Sequence, residues 1–319
     1  MNVYQYTMLC RIANKCSTSY PHRVDNLCYN RVQFSLKPKE LALPRWASFL
    51  VIFSLLMCLG SCSVESATTP AATAAATTGG DVGSAATAVV NDGWERVEEA
   101  LEYRELQLSA DGQGANARII RLDPTRFRIR VAYDRLNPGT IAEWVAAVKP
   151  VALINGGFFD ENDRATALVI FDGVAQGTSY DGFGGMVVVN AAGEFELRSL
   201  RQQPYDPVEA LQQAMQSAPM LIQPGGTLSE LQADTDRSRR TVIARDTDGR
   251  ILLIITNAPT LSLTALGRAL QAAPLNLDAA LNLDGGRSTG MFLDRSGRPV
   301  QVEAFDRLPL VLVVDHVAK

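Results

Sequence analysis

Apolar and polar positions alternate with a period of two over residues 103–108, 117–122 and 127–133, and Asp-Gly-Gln-Gly and Asp-Pro-Thr turns separate the runs. Such alternation puts one face of an extended chain against a core and the other toward water, so the three segments predict strands joined as an antiparallel meander. Residues 140–148 shift to helical spacing, with Thr140 as N-cap and Pro150 as stop. A buried-type strand at 151–154 runs directly into Asn155-Gly156-Gly157-Phe158-Phe159-Asp160. Further strands are predicted at 167–171, 186–189 and 194–200, then a helix at 208–216 and strands at 239–244 and 250–256. A helix at 262–272, capped by Ser262, and a last strand at 309–314 complete the pattern. Strands outnumber helices without alternating strictly with them. The expected fold is therefore α+β: a mixed, largely antiparallel sheet with a few packed helices in one globular domain over residues 94–319.

Residues 279–293 carry the sharpest local signal. An apolar run ends abruptly at Asp284 and two glycines, and a second apolar run follows. Asp-Gly between two strands is a hairpin signal. Paired glycines also allow positive φ and the close approach of a backbone or ligand, which would put Asp284 at the mouth of a site. The same arrangement occurs at Asn155-Gly156-Gly157, again a short polar side chain at the end of a buried strand. Two such strand ends predict a shared site floor rich in backbone N–H groups.

The N-terminal third has a different composition. Arg45 precedes an almost wholly apolar run, residues 46–59, that ends Leu59-Gly60-Ser61-Cys62. That length suits a signal-peptide core better than a bilayer span, and small residues before a cysteine resemble a bacterial lipobox, in which Cys62 would carry the lipid anchor. Residues 1–62 read as a leader with its true start near residue 41, and residues 63–93 as an Ala/Thr/Gly-rich flexible tether. The expected destination is export to a bacterial cell envelope as a membrane-anchored lipoprotein. Of the 30 Lys+Arg and 34 Asp+Glu, 7 and 2 fall in residues 1–62, leaving 23 and 32, a formal charge of −9. That sign excludes a general nucleic-acid binder.

All five cysteines lie at or before Cys62, and of the two histidines only His316 lies beyond it. The globular part therefore has no thiol nucleophile and no Cys/His zinc site, and His316, at a strand end, reads as a surface residue. Its chemistry must come from carboxylates, amides, hydroxyls and arginines. Arg240 is one candidate, a bidentate fork for phosphate or carboxylate, although Arg237, Arg239 and Arg240 also read as an exposed basic cluster.

Asn155-Gly156-Gly157-Phe158-Phe159, Ser217-Ala218-Pro219-Met220-Leu221, Arg240-Thr241 and Asn282-Leu283-Asp284-Gly285-Gly286 with Ser288-Thr289 resemble, in order, the motifs of the phosphodiester glycosidase family. The resemblance spans residues 115–316. Arg287 departs from it, standing where the family often has a third glycine.

The resemblance implies hydrolysis of the bond between a sugar C1 and a phosphate oxygen. Glycoside cleavage ordinarily uses two carboxyl groups, but a phosphate monoester leaves readily, so one carboxylate plus a cationic clamp is chemically sufficient. On this reading Asp284 is the nucleophile or base, and Arg240, with Arg287, holds phosphate. Asn155 and Asn282 bind sugar hydroxyls, while Ser288 or Thr289 orients Asp284 or phosphate. Gly156, Gly157, Phe158, Gly285 and Gly286 line the substrate. Asp160 is a candidate second carboxyl, though it also reads as a turn residue. No cofactor is required, and a divalent cation at residues 160–163 is left open, since that stretch lacks a full calcium-loop pattern. The expected partners are a carbohydrate or glycan phosphodiester and, through the lipid, the membrane. The alternative is a non-catalytic glycan-binding or exopolysaccharide-assembly lipoprotein.

Overall fold

The structure, a computed structural model, describes residues 93–317, so the leader, Cys62 and the tether up to residue 92 lie outside the described residues. The chain opens with an antiparallel meander, β1 (Glu95–Glu98), β2 (Leu101–Ala110) and β3 (Gln113–Leu122). β4 (Phe127–Tyr133) leaves that sheet; α1 (Ile141–Val148) and β5 (Ala152–Asn155) follow. β6 (Val169–Phe171), β7 (Val174–Gln176), β8 (Gly185–Asn190), β9 (Phe195–Ser199) and β10 (Leu211–Ser217) pair among themselves. β11 (Met220–Gln223), β12 (Thr227–Leu228), β13 (Ser238–Asp246) and β14 (Ile251–Leu261) return to the first sheet, as does β15 (Leu277–Asn282) after α2 (Leu263–Ala272). β16 (Met291–Leu293), β17 (Val300–Val302) and β18 (Leu310–His316) join β4 and β5.

Three sheets result, ordered β1-β2-β3-β14-β13-β15-β11-β12, β7-β6-β10-β8-β9 and β17-β16-β5-β18-β4. Their neighbouring strands pair antiparallel throughout. The described residues thus contain two α-helices in a largely β structure, more strand-rich than the expected α+β mixture and antiparallel where a mixed sheet was expected.

Alternation sorts the core. Ile251, Leu253 and Ile255 of β14 face a central cluster shared with β4, β5, β8 and β18, whereas Leu252 and Ile254 face α2. Both faces of β14 are covered over residues 251–255, which explains the unbroken apolar sequence of that segment. On α2, Ala265, Leu266, Ala269 and Leu270 are buried against the large sheet; each leucine side chain so removed from water contributes roughly 1.5–3 kcal/mol. Both helices are capped as their sequences predict. Thr140 Oγ1 accepts from Glu143 N at 3.1 Å while Glu143 Oε2 accepts from Thr140 N at 2.8 Å, and Ser262 Oγ accepts from Ala265 N.

Three local expectations give way. Residues 127–133 form a strand but not the third rung of the meander, because β4 pairs with β18 in another sheet. The helix expected at 208–216 is mostly β10, the middle strand between β6 and β8. Its Leu-Gln-Gln-Ala-Met-Gln sequence favours a helix in isolation, yet two of its glutamines are buried and bonded: Gln213 Oε1 accepts from Val131 N, and Gln216 accepts from Tyr180 N and donates to Ser179. Tertiary context overrides propensity here. Finally, β15 and β16, which flank Asp284, do not pair as a hairpin. One pairs with β11 and β13, the other with β5 and β17, and residues 283–290 cross from sheet to sheet.

Candidate active site

The two glycine-paired strand ends meet. Asp284 N donates to Gly156 O at 3.1 Å, and Asn155 Nδ2 donates to Asp284 O at 2.7 Å. The glycines are required by contact. A β-carbon on Gly156 would stand 2.6 Å from Leu310 Cγ, one on Gly157 2.9 Å from Gln216 O, and one on Gly285 2.7 Å from Arg239 O. Gly286 has φ +61°, the left-handed region that glycine enters freely. Gly286–Ser288 then forms a single 3₁₀ turn. What the first three glycines admit is the protein's own packing rather than an empty ligand channel.

Asn155 is 1% exposed and its amide is fully used. Oδ1 accepts from Thr241 Oγ1 at 2.8 Å and from Gly290 N at 3.1 Å; Nδ2 donates to Asp284 O and, at 3.3 Å, to Gly156 O. With both lone pairs and both N–H bonds taken, it cannot also serve sugar hydroxyls. Its position makes it a buckle joining β5, β13 and the residue 283–290 crossing. Thr241 Oγ1 lies 3.3 Å from Thr289 Oγ1, extending the buried network. Asn282 donates to Ala218 O at 2.9 Å, beside the cis Ala218–Pro219 bond, while its buried Oδ1 has no hydrogen-bond partner among the described residues.

Asp284 itself is half-buried. Its Oδ1 accepts from Gly285 N at 2.9 Å, and the Ser288 hydroxyl hydrogen-bonds the carboxyl. Burial raises its pKa above the usual 3.8; the two hydrogen bonds oppose this, and the negative charge of Asp306 reinforces it.

The arginines divide by the pleat of β13. Even positions Val242 and Ala244 face the α2 side and Ile243 faces the central cluster, so the side chain of Arg240 departs from the face on which Thr241 meets Asn155. Arg240 Nε donates to Leu261 O at 3.1 Å and Nη2 to Asp236 O at 2.7 Å, with only a loose 3.7 Å ion pair to the exposed Asp236. Two of the three nitrogens of the expected phosphate fork thus hold carbonyls near the entry to α2. Arg239 and Arg240 are each 6% exposed and form no exposed basic cluster. Arg239 Nη2 holds Thr289 O at 2.8 Å and Glu303 O at 3.2 Å, and its guanidinium lies 4.5 Å from the Phe305 ring centroid. Burial without a carboxylate partner lowers its pKa. Arg287 is the exposed cation of the group, its Nε 2.7 Å from Asp306 Oδ1.

Asp160 closes its own loop, accepting from Asn162 N at 2.8 Å and Arg164 N at 2.9 Å. Among the described residues no three His, Cys, Asp or Glu side chains gather as a metal-holding group. His316, exposed, packs on Phe127 and lies 3.6 Å from Glu98, away from this site.

Two flanks of the site, apart from Phe158, were not legible in the sequence. Half-buried Phe158 leads to Thr166, whose Oγ1 is 3.3 Å from Phe158 O and 3.5 Å from Tyr180 OH; Tyr180 stacks on exposed Phe183 at 4.6 Å. On the other flank stand Phe305 and Asp306. Phe158 belongs to the first motif, but Tyr180, Phe183, Phe305 and Asp306 do not, and isolated aromatic and acidic residues in loops give no periodic signal.

Comparison with known proteins bears on the family and the fold. The family model described as phosphodiester glycosidase matches residues 149–314, from just before β5 into β18. Among solved structures, the zebrafish N-acetylglucosamine-1-phosphodiester alpha-N-acetylglucosaminidase catalytic domain, auto-inhibited by its pro-peptide, is similar with a TM-score of 0.54. It is 16% identical over 68% of this chain and 83% of that one. A hypothetical protein from Synechocystis is similar with a TM-score of 0.51 and 14% identity, over 68% of this chain and 62% of that one. At such identities the likeness establishes the fold. No curated protein is similar enough in sequence to match. With the family model covering more than half of its residues, the chain belongs to the phosphodiester glycosidase family.

Proposed function

We propose that this protein is an exported glycosidase that hydrolyses a sugar-1-phosphodiester of a glycan or cell-envelope polymer, with Asp284 as the nucleophile at C1. The observation that carries the reading is the single half-buried carboxylate presented where the two glycine-paired strand ends lock together. Its main chain is fixed by Gly156 and Asn155 and its carboxyl by Gly285 N and Ser288, so little reorganisation is needed when charge develops at C1. Asn155, Thr241 and Thr289 act as positioning residues. Arg287 offers the phosphate the exposed guanidinium of this turn, a role for which Arg240 is poorly placed because it is 6% exposed and its Nε and Nη2 already donate to carbonyls. The Tyr180–Phe183 pair, beside Phe158, supplies an apolar surface against which the C–H face of a sugar can pack.

Residues 1–62 are assigned as a lipoprotein leader with Cys62 lipidated, residues 63–93 as the tether and 94–319 as the catalytic domain. Such an arrangement would hold the site near envelope polymers. The test is the full chain in detergent with methyl phosphodiesters of hexose and N-acetylhexosamine 1-phosphates. Release of free reducing sugar and methyl phosphate is the expected result. Saturable binding without turnover would instead establish a non-catalytic glycan-binding lipoprotein.

A further inference from the structure

Hydrolysis through a glycosyl-enzyme needs a group that activates water after the phosphate has left. Asp160, whose carboxylate is spent on its own loop, is not presented to Asp284 by any observed contact. Asp306 is differently placed. Phe305 N and Asp306 N both donate to Arg287 O, at 2.7 and 3.3 Å, and Arg287 Nε returns a bond to Asp306 Oδ1 at 2.7 Å. The segment bearing Asp306 is thereby riveted to the same turn that carries Asp284. Arg287 fixes one carboxylate oxygen, while Oδ2 has no hydrogen-bond partner among the described residues. The carboxylate is half-buried, and its charge is felt at Asp284. A turn that exposes one carboxylate and rivets a second beside it has the composition of a two-carboxylate glycosidase site.

Resting on the function proposed above, we infer that Asp306 is the second carboxyl group of this site, the base that activates water for breakdown of a glycosyl–Asp284 ester. In the first step an Asp284 oxygen bonds to C1 as the C1–O bond to phosphate breaks. The electron pair leaves on the phosphate monoester, whose second pKa of about 6 makes protonation unnecessary. In the second step a water oxygen bonds to C1, its proton passes to Asp306, and the C1–O bond to Asp284 breaks, returning the pair to Asp284. Asp306 then gives its proton to solvent. Two displacements at C1 retain the anomeric configuration.

The deciding experiment is rapid-quench kinetics of full-length Asp306→Asn on the methyl phosphodiester that the wild type turns over fastest. One equivalent of methyl phosphate should appear in a burst, followed by turnover roughly 100-fold or more below wild type, the scale of a lost general base. Azide should restore turnover and yield a glycosyl azide of the substrate's own configuration, and Asp306→Glu should recover much of the rate. A variant as fast as wild type, or one that is slow with neither burst nor azide product, overturns the inference and leaves the glycosidase reading intact. A wild type that hydrolyses none of the phosphodiesters overturns both.

Discussion

The two glycine-paired strand ends look alike in sequence and differ in what they leave unsatisfied. Asn155 is buried, and all four of its hydrogen-bonding positions are consumed by the protein. Asp284 keeps carboxylate surface open and is held at a raised pKa by burial and by a neighbouring acid. One end spends its polarity on architecture, and the other holds it in reserve. The difference teaches that an amide suits the first, since it both donates and accepts, whereas a group that only accepts suits the second.

The largest expected effect comes from removing the reserve. Asp284→Asn should reduce turnover about 10³-fold or more, the scale of a group acting at the reacting atom, and sugar release is the measurement. Its Tm should equal or exceed wild type at neutral pH. A carboxyl with a raised folded-state pKa contributes stability that is present at low pH and lost as pH rises through that pKa. Any gain in Tm should therefore shrink on acidification; a large loss of Tm would make Asp284 an architectural residue like its counterpart.

The converse substitution, Asn155→Asp, turns Nδ2 into an acceptor facing the carbonyls of Asp284 and Gly156. Thermal unfolding should show a loss of about 3–5 kcal/mol, as for a buried charge without compensation. A smaller effect is expected for Gly285→Ala, whose β-carbon would meet Arg239 O at 2.7 Å; about 1–3 kcal/mol should disappear from stability with turnover falling in parallel. Smallest is a shift in the pH profile. If Asp284 must be ionised, kcat/KM should fall with acid through a midpoint above 3.8, and Asp306→Asn should lower that midpoint by removing the neighbouring charge. A midpoint unmoved by that substitution would separate the two acids electrostatically.

Both strand ends, both helices with their caps, and the strand with Thr241 could be read from periodicity and capping chemistry, because these signals are local. Pairing partners could not. Nothing between residues 279 and 293 reveals that the two flanking strands join different sheets, since Asp-Gly-Gly serves a hairpin or a crossing equally well. Which face of β13 Arg240 leaves depends on register, and one residue's shift exchanges it with Thr241. The roles of Gln213 and Gln216 were hidden for the opposite reason. Polar residues in a good helix-forming run give a local signal that their buried partners override.

The crossing of residues 283–290 from one sheet to another carries a final consequence. The proposed catalytic turn belongs to neither sheet alone; it is a weld between two layers. Sliding one layer on the other would pull on the bonds that join Asp284 to Gly156 and Asn155 as well as on the central apolar cluster that both layers share. On the proposed function, turnover is therefore a gauge of interlayer shear, and mild denaturant or pressure should lower it.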